Sequence, residues 1–295
     1  MSSDAIKDNG FDSWVQCIDC RKGMSQVASQ SVSLILTDPP YFLDGLDDNW
    51  DTHRIKSRLK KGVIGGIPVG MKFDRAQGHN LYKFLKPVAE EWFRILKPGS
   101  FVLCFSHPRL SHRSALAIED AGFEIRDMLA WRYEGQAKAF TQDHFVRKSK
   151  LPEDEKEKII KALGGRKTPQ LKPQMELIIL AQSPREGTFV DNWLQHQTGL
   201  IDVSDPVVEN DRFPGTVIPV SKPREKFGHI AAKPVPLLRH LVRIFSAEGT
   251  VVCDPFTGSG STGIAARLEG RDFIGFEIDS EIAEIADARV EIGTH

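Results

Sequence analysis

Val251-Val252-Cys253-Asp254-Pro255-Phe256-Thr257-Gly258-Ser259-Gly260-Ser261-Thr262-Gly263 joins a short apolar strand to a helix through a turn carrying three glycines. Ile264, Ala265, Ala266 and Leu268 supply the apolar face of that helix, and a second strand, Phe273-Ile274-Gly275-Phe276, ends at Glu277. Glycine in a strand-to-helix turn lets a ligand approach the backbone as no side chain would allow. An acid closing the next strand can accept both hydroxyls of a ribose. The pattern therefore predicts an α/β unit with a nucleoside-holding edge.

Read literally, Gly258-x-Gly260-x-x-Gly263 is the dinucleotide-binding fingerprint, with Glu277 near the expected distance of about 20 residues. A nicotinamide-dependent oxidoreductase is thus one reading. Against it, eighteen residues follow Glu277, enough for a helix over Ser280–Val290 but not for a second mononucleotide-binding half. Asp254-Pro255-Phe256 also places bulk and an anion where a pyrophosphate would want open helix-end amides. An adenosine with a cationic tail fits better than one with two phosphates.

A second punctuated strand lies near the start of the chain, where Leu34-Ile35-Leu36-Thr37 runs into Asp38-Pro39-Pro40-Tyr41. Each proline fixes its φ and removes an N–H, and the residue before a proline is pushed into extended backbone. The turn is rigid and short of donors. It presents a carboxylate, backbone carbonyls and an aromatic ring, a surface suited to a flat, amino-bearing group. A plain strand-terminating turn would look the same when taken alone.

Together these residues resemble the amino-methylating DNA methyltransferases that use S-adenosylmethionine. Asp38-Pro39-Pro40-Tyr41 matches their catalytic motif, and Asp254-Pro255-Phe256-Thr257-Gly258-Ser259-Gly260 their cofactor motif. The catalytic motif comes first, which is the order of the permuted β group. Asp19-Cys20, Leu96-Lys97-Pro98-Gly99-Ser100, Lys172-Pro173 with Glu176, and His229 with Lys233-Pro234 and Leu237 follow the same order. Where the family often has Thr-Gln before the Lys-Pro pair, this chain has Ala231-Ala232.

The resemblance implies a doubly wound, mostly parallel, seven-stranded methyltransferase sheet with an antiparallel edge and recognition insertions. It implies a single catalytic domain over 1–295, a mobile basic loop over 44–80, and target-recognition insertions over 134–173 and 183–215. Asp38 and the Pro39 carbonyl would accept the two N–H groups of an exocyclic amine. Pro40 keeps the turn rigid, and Tyr41 would stack on a base withdrawn from the duplex. Gly258 and Gly260 would pass close to the cofactor, Glu277 would hold its ribose, and Asp254, Phe256 and Thr262 would line its site. Lys233 would either bind the cofactor's carboxylate end or cap a helix. The expected product is N6-methyladenine, because relatives acting on cytosine more often carry serine where this chain has Asp38. N4-cytosine methylation and an inactive fold kept as a DNA-binding module are the alternatives. The sulfonium is already activated, so no metal is expected.

With 295 residues, 40% hydrophobic and 27% charged, the chain can bury a full core as one α/β domain. No apolar run reaches a membrane-spanning length, and the polar N-terminus does not read as a signal peptide. Four cysteines are few, and Cys17-Ile18-Asp19-Cys20 lacks a second pair to complete a zinc site, so packing is the expected role and a reducing, cytoplasmic setting fits. The net charge of −1 does not mark a nucleic-acid binder, but the distribution does more. His53–Lys61 holds five Lys/Arg and no acid, and Lys138–Arg185 holds eleven against six acids. Arg54, Lys56, Arg58, Lys148 and Arg166 are the candidate phosphate contacts on double-stranded DNA. In the second insertion Trp193, His196 and Gln197 are suited to bases or to local packing. The resemblance allows a homodimer and a cognate restriction endonuclease as partners, in a prokaryotic or phage nucleoid.

Strand-like runs at Val32–Thr37, Phe101–Phe105, Ile125–Trp131, Leu177–Leu180, Val251–Asp254 and Phe273–Glu277 alternate with helical patterns at Leu81–Leu96, Ser111–Ala121, Val235–Phe245, Thr262–Leu268 and Ser280–Val290. Such alternation predicts a largely parallel sheet, with ligands beyond the carboxyl ends of its strands at the switch point.

Overall fold

Val32–Thr37 (β2) is buried along its whole length, as a strand covered on both faces by helices must be. Its side chains alternate between two cores. Ile35 packs with Leu81, Leu85 and Trp92 on one face, and Leu34 and Leu36 pack with Leu237, Leu241 and Val242 on the other. The computed structural model describes residues 13–41, 75–137, 139–203, 213–222 and 232–292.

Among these residues the other strands are Trp14–Cys17 (β1), Leu96–Ser106 (β3), Glu124–Arg132 (β4), Met175–Gln182 (β5), Val217–Pro219 (β6), Val251–Asp254 (β7) and Asp272–Glu277 (β8). They form one sheet in the order β1-β8-β7-β2-β3-β5-β4-β6. Pairing is parallel from β1 to β3, whereas β5 runs antiparallel to both β3 and β4. The doubly wound, mostly parallel sheet is as expected, with eight strands rather than seven. The antiparallel strand is not at the margin, because β6 adds parallel to β4 beyond it.

The first core face is covered by helices Cys20–Met24 (α1), Arg75–Ile95 (α2) and Ser111–Glu119 (α3). Two further helices, Asp143–Lys148 (α4) and Glu153–Leu163 (α5), lie between β4 and β5, and Phe189–His196 (α6) follows β5. Val235–Phe245 (α7), Ser261–Leu268 (α8) and Ser280–Ile292 (α9) belong to the second face. Of the loop expected over 44–80, residues 44–74 lie outside the described residues, and 75–80 belong to α2. None of the described helices is long and apolar enough to cross a membrane.

Two departures from sheet regularity bear on function. The chain leaves the sheet after β4 and returns at β5 through a stem: Tyr133 N–H donates to Gln174 O at 2.9 Å, and Thr168 N–H to Phe140 O at 3.0 Å. The helices α4 and α5 sit within that excursion. The second departure is the direction reversal at the middle of the sheet. From β2 the chain winds through α2 to β3 on one side, while from β7 it winds through α8 to β8 on the other. The carboxyl ends of β2 and β7, neighbours in the sheet, thus flank the switch point.

Candidate active site

Thr37 closes β2 and Asp254 closes β7, and the Thr37 hydroxyl donates to Asp254 Oδ1 at 2.6 Å across the switch point. This bond ties together two turns that lie more than two hundred residues apart in the chain. Asp254 also takes the Phe256 amide at 3.1 Å and a hydrogen bond from Thr262. Its carboxylate is therefore spent inside the protein, shaping the glycine turn from beneath. The Thr257 hydroxyl adds a bond to the Asp254 carbonyl at 2.9 Å.

Burial pushes the Asp254 carboxyl up from the usual 3.8 to about 6, against the hydrogen bonds from Thr37 and Thr262. The native state thus holds a proton more tightly than the unfolded chain, and stability contributed by this group falls as pH rises from about 4 to about 6. The size is on the order of 2–3 kcal/mol. Asp254→Asn, which cannot ionise, should give a flatter stability-against-pH curve over that window than the wild type. Parallel curves in denaturant melts would show that Asp254 does not carry this dependence.

Two glycines adopt positive φ in the turn, Gly258 at +51° and Gly260 at +84°. A Cβ on Gly260 would lie 2.9 Å from the Ala286 carbonyl oxygen. Glycine there lets α8 pack closely on α9, so the open side of this residue faces protein. Phe256 is partly buried, with its ring centroid 5.8 Å from that of Phe84 on α2.

Glu277, at the end of β8, folds back over the same turn. Gly258 N–H donates to its Oε2 at 3.0 Å, while Ile278 and Asp279 N–H donate to Oε1 at 2.9 and 3.0 Å. Burial raises its pKa, and the three amides oppose the shift. A carboxylate offers about four lone-pair positions, so one acceptor direction remains for an outside hydroxyl. An acid fixed beside a glycine turn with one free acceptor fits a ribose.

The other half of the site follows β2. The Asp38 carboxylate is gripped at both oxygens, with the Tyr41 hydroxyl on Oδ1 and the Lys233 ammonium on Oδ2. Both groups also reach Glu176 from β5: Tyr41 OH lies 2.6 Å from its Oε1, and Lys233 Nζ 3.1 Å from the same atom. The Lys233 ammonium sits 4.9 Å from the centroid of the Phe105 ring. The side chains of Lys233, Glu176 and Asp38 are 10, 17 and 22% exposed. They are partly exposed rather than sealed in the core.

Burial raises the pKa of Asp38, and the Glu176 charge pushes it the same way against the pull of Lys233. Burial alone would lower the pKa of the Lys233 ammonium, but Asp38 and Glu176 more than offset it and the net shift is upward. Tyr41 is driven well above its ordinary value by burial and by the two carboxylates. It therefore keeps its single proton.

Lys233 is expected from the sequence at the cofactor's carboxylate or at a helix end. The structure instead sets it between the two acids, and α7, which starts two residues later, has no side-chain cap. Glu176, legible in the sequence only as a marker before a strand, is a member of the site. Its one signal is a carboxylate next to the apolar run of β5.

The candidate DNA contacts are more scattered. Lys148 is exposed in the last turn of α4. Arg166 is exposed and donates from Nη1 to Leu163 O at 3.1 Å, closing the end of α5. Arg54, Lys56 and Arg58 lie outside the described residues, as does His229. Trp193 and His196 belong to α6, with Gln197 at its C-cap. Asn192 fixes this helix by donating to Pro98 O at 3.1 Å, at the start of β3. That is the sheet edge opposite Asp38.

The model of the N6/N4 DNA methylase family matches residues 32–288. The Type II methyltransferase M.HindIII of Haemophilus influenzae is 27% identical over 292 residues, covering 91% of this chain and 92% of the relative. M2.DpnII of Streptococcus pneumoniae, also a Type II methyltransferase, is 24% identical, covering 92% and 87%. Among solved structures, the PvuII cytosine-N4-specific DNA methyltransferase shares the fold with a TM-score of 0.61 at 15% identity, over 96% of this chain and 90% of that one. M1.HpyAVI, solved with S-adenosylmethionine, gives a TM-score of 0.52 at 16% identity, over 94% and 98%. The Asp-Pro-Pro-Tyr turn, the glycine turn and strands β2 to β8 lie within the matched span, and the chain belongs to the N6/N4 family of DNA methylases.

Proposed function

We propose that the protein is a site-specific DNA methyltransferase that moves the methyl group of S-adenosylmethionine to N6 of adenine, in a base turned out of double-stranded DNA. The observation that carries this reading is the Thr37–Asp254 hydrogen bond, which sets the Asp38 turn and the glycine turn side by side at the switch point. The bound cofactor supplies a methyl group already activated on a sulfonium. Glu277 accepts from its ribose, the turn over Phe256–Thr262 shapes its pocket, and Asp254 supports that turn from below.

An exocyclic amine is a poor nucleophile because its lone pair is delocalised into the ring. Asp38 and the Pro39 carbonyl accept its two N–H groups and favour a pyramidal nitrogen with the lone pair free. Tyr41 walls the pocket for the extruded base. The Asp38 carboxylate would take the proton that the nitrogen gives up once the cofactor's methyl group is bonded to it, the cofactor leaving as a neutral thioether. Rate comes from alignment and from charges fixed in advance. The basic residues Arg54, Lys56, Arg58, Lys148 and Arg166 are candidate phosphate contacts. The named relatives, both Type II methyltransferases, support a role in restriction and modification.

Adenine is favoured over cytosine by Asp38, a full carboxylate and so a stronger acceptor than the serine more frequent at this position in cytosine-acting relatives. The N4 reading draws on the likeness to the PvuII enzyme. Nucleoside analysis of methylated DNA containing both bases in varied contexts separates the two. N6-methyladenine is the expected product, and N4-methylcytosine as the main product would overturn the assignment.

A further inference from the structure

Asp38 stands with both oxygens already engaged. Whichever oxygen is to accept an N–H of the target amine is already held, Oδ1 by the Tyr41 hydroxyl and Oδ2 by the Lys233 ammonium. Something has to take those two donors when the base arrives, and Glu176 is built for that. Its Oε1 lies 2.6 Å from Tyr41 OH and 3.1 Å from Lys233 Nζ, within reach of both without movement of the backbone. Tyr41 has one proton, so its hydroxyl can donate to only one of the two carboxylates at a time.

We infer that Glu176 is a positioning residue for methyl transfer: it receives the Tyr41 hydroxyl and the Lys233 ammonium from Asp38, and so frees Asp38 to accept the amine. This rests on the reading of Asp38 as the amine acceptor. An ammonium left on Asp38 would compete with the amine and weaken the carboxylate as an acceptor. Moved to Glu176 it stays neutralised, and the two acids with one lysine keep a net negative charge beside the reacting centre. The geometry stores the site closed and opens it by exchanging one acceptor for another.

The test is a double-variant cycle on the full chain, with kcat measured at saturating DNA and cofactor. Glu176→Gln is expected to lower kcat by about tenfold or more, with KM for both substrates within about threefold. The acid limb of its pH profile should move to lower pH, because Lys233 then stays on Asp38. In a Lys233→Met background the same change should cost much less, because the ammonium that Glu176 draws off Asp38 is already absent. Cofactor binding measured by calorimetry, expected at the wild-type affinity in Glu176→Gln, serves as the folding control. An undiminished kcat in Glu176→Gln, or losses that multiply in the double variant, would overturn the inference. If Glu176→Gln is unimpaired while Asp38→Ala is inactive, only the role of Glu176 falls. If Asp38→Ala remains active, the reading beneath it falls as well.

Discussion

Asp38→Ala is expected to abolish methyl transfer, by about a thousandfold or more, while leaving S-adenosylmethionine binding within a few-fold of wild type. The size follows from what is lost, since on the proposed mechanism Asp38 acts on the amine during reaction and on nothing in the cofactor pocket. The structure gives a reason to expect a clean separation. Without Asp38, Lys233 and Tyr41 both keep a partner in Glu176, so no charge is stranded and the turn keeps its shape. Transfer of labelled methyl to mixed-sequence DNA measures the first effect, and calorimetry with the cofactor the second. Turnover within a few-fold of wild type would remove Asp38 from the mechanism.

Glu277→Ala should do the opposite and weaken the cofactor rather than the chemistry. A buried ribose loses its acceptor at about 1–3 kcal/mol, or roughly ten- to a hundredfold in affinity. The carboxylate also gathers the Gly258, Ile278 and Asp279 amides, so part of the loss is expected as a lowered melting temperature. Glu277→Gln should be little better than alanine, because an amide offers one acceptor oxygen where the turn needs two. Unchanged cofactor affinity in calorimetry would mean that Glu277 serves only the turn.

Much of this was legible in the chain because its central strands are covered on both faces and its longer helices are amphipathic. The helix expected over Val235–Phe245 is α7 to the residue. The strands at Val32–Thr37 and Val251–Asp254 are equally exact. The short elements were not legible. Trp14–Cys17 and Val217–Pro219 lie at the two margins of the sheet, without the full burial of the similarly short Val251–Asp254, and they become strands by pairing with β8 and β4. The two motif turns could be found because prolines and glycines mark them. Their support could not be found so easily. Glu176 and Lys233 reach Asp38 from 138 and 195 residues further along, and no spacing encodes a meeting made by sheet order. Arg166 shows the reverse case: a basic residue chosen for its charge is engaged at a helix end.

The stem at Tyr133 and Gln174 turns the excursion between β4 and β5 into an exchangeable cassette. Because the chain departs and returns through one hydrogen-bonded pair, length and composition can change beyond it without altering strand register. If this segment recognises the target, as the sequence leads one to expect, new sequence preferences follow from rewriting it alone. The freedom has a limit two residues past the return point, where Glu176 holds Tyr41 and Lys233 beside Asp38. A replacement that splays the stem would be felt first as slow turnover, before any loss of fold.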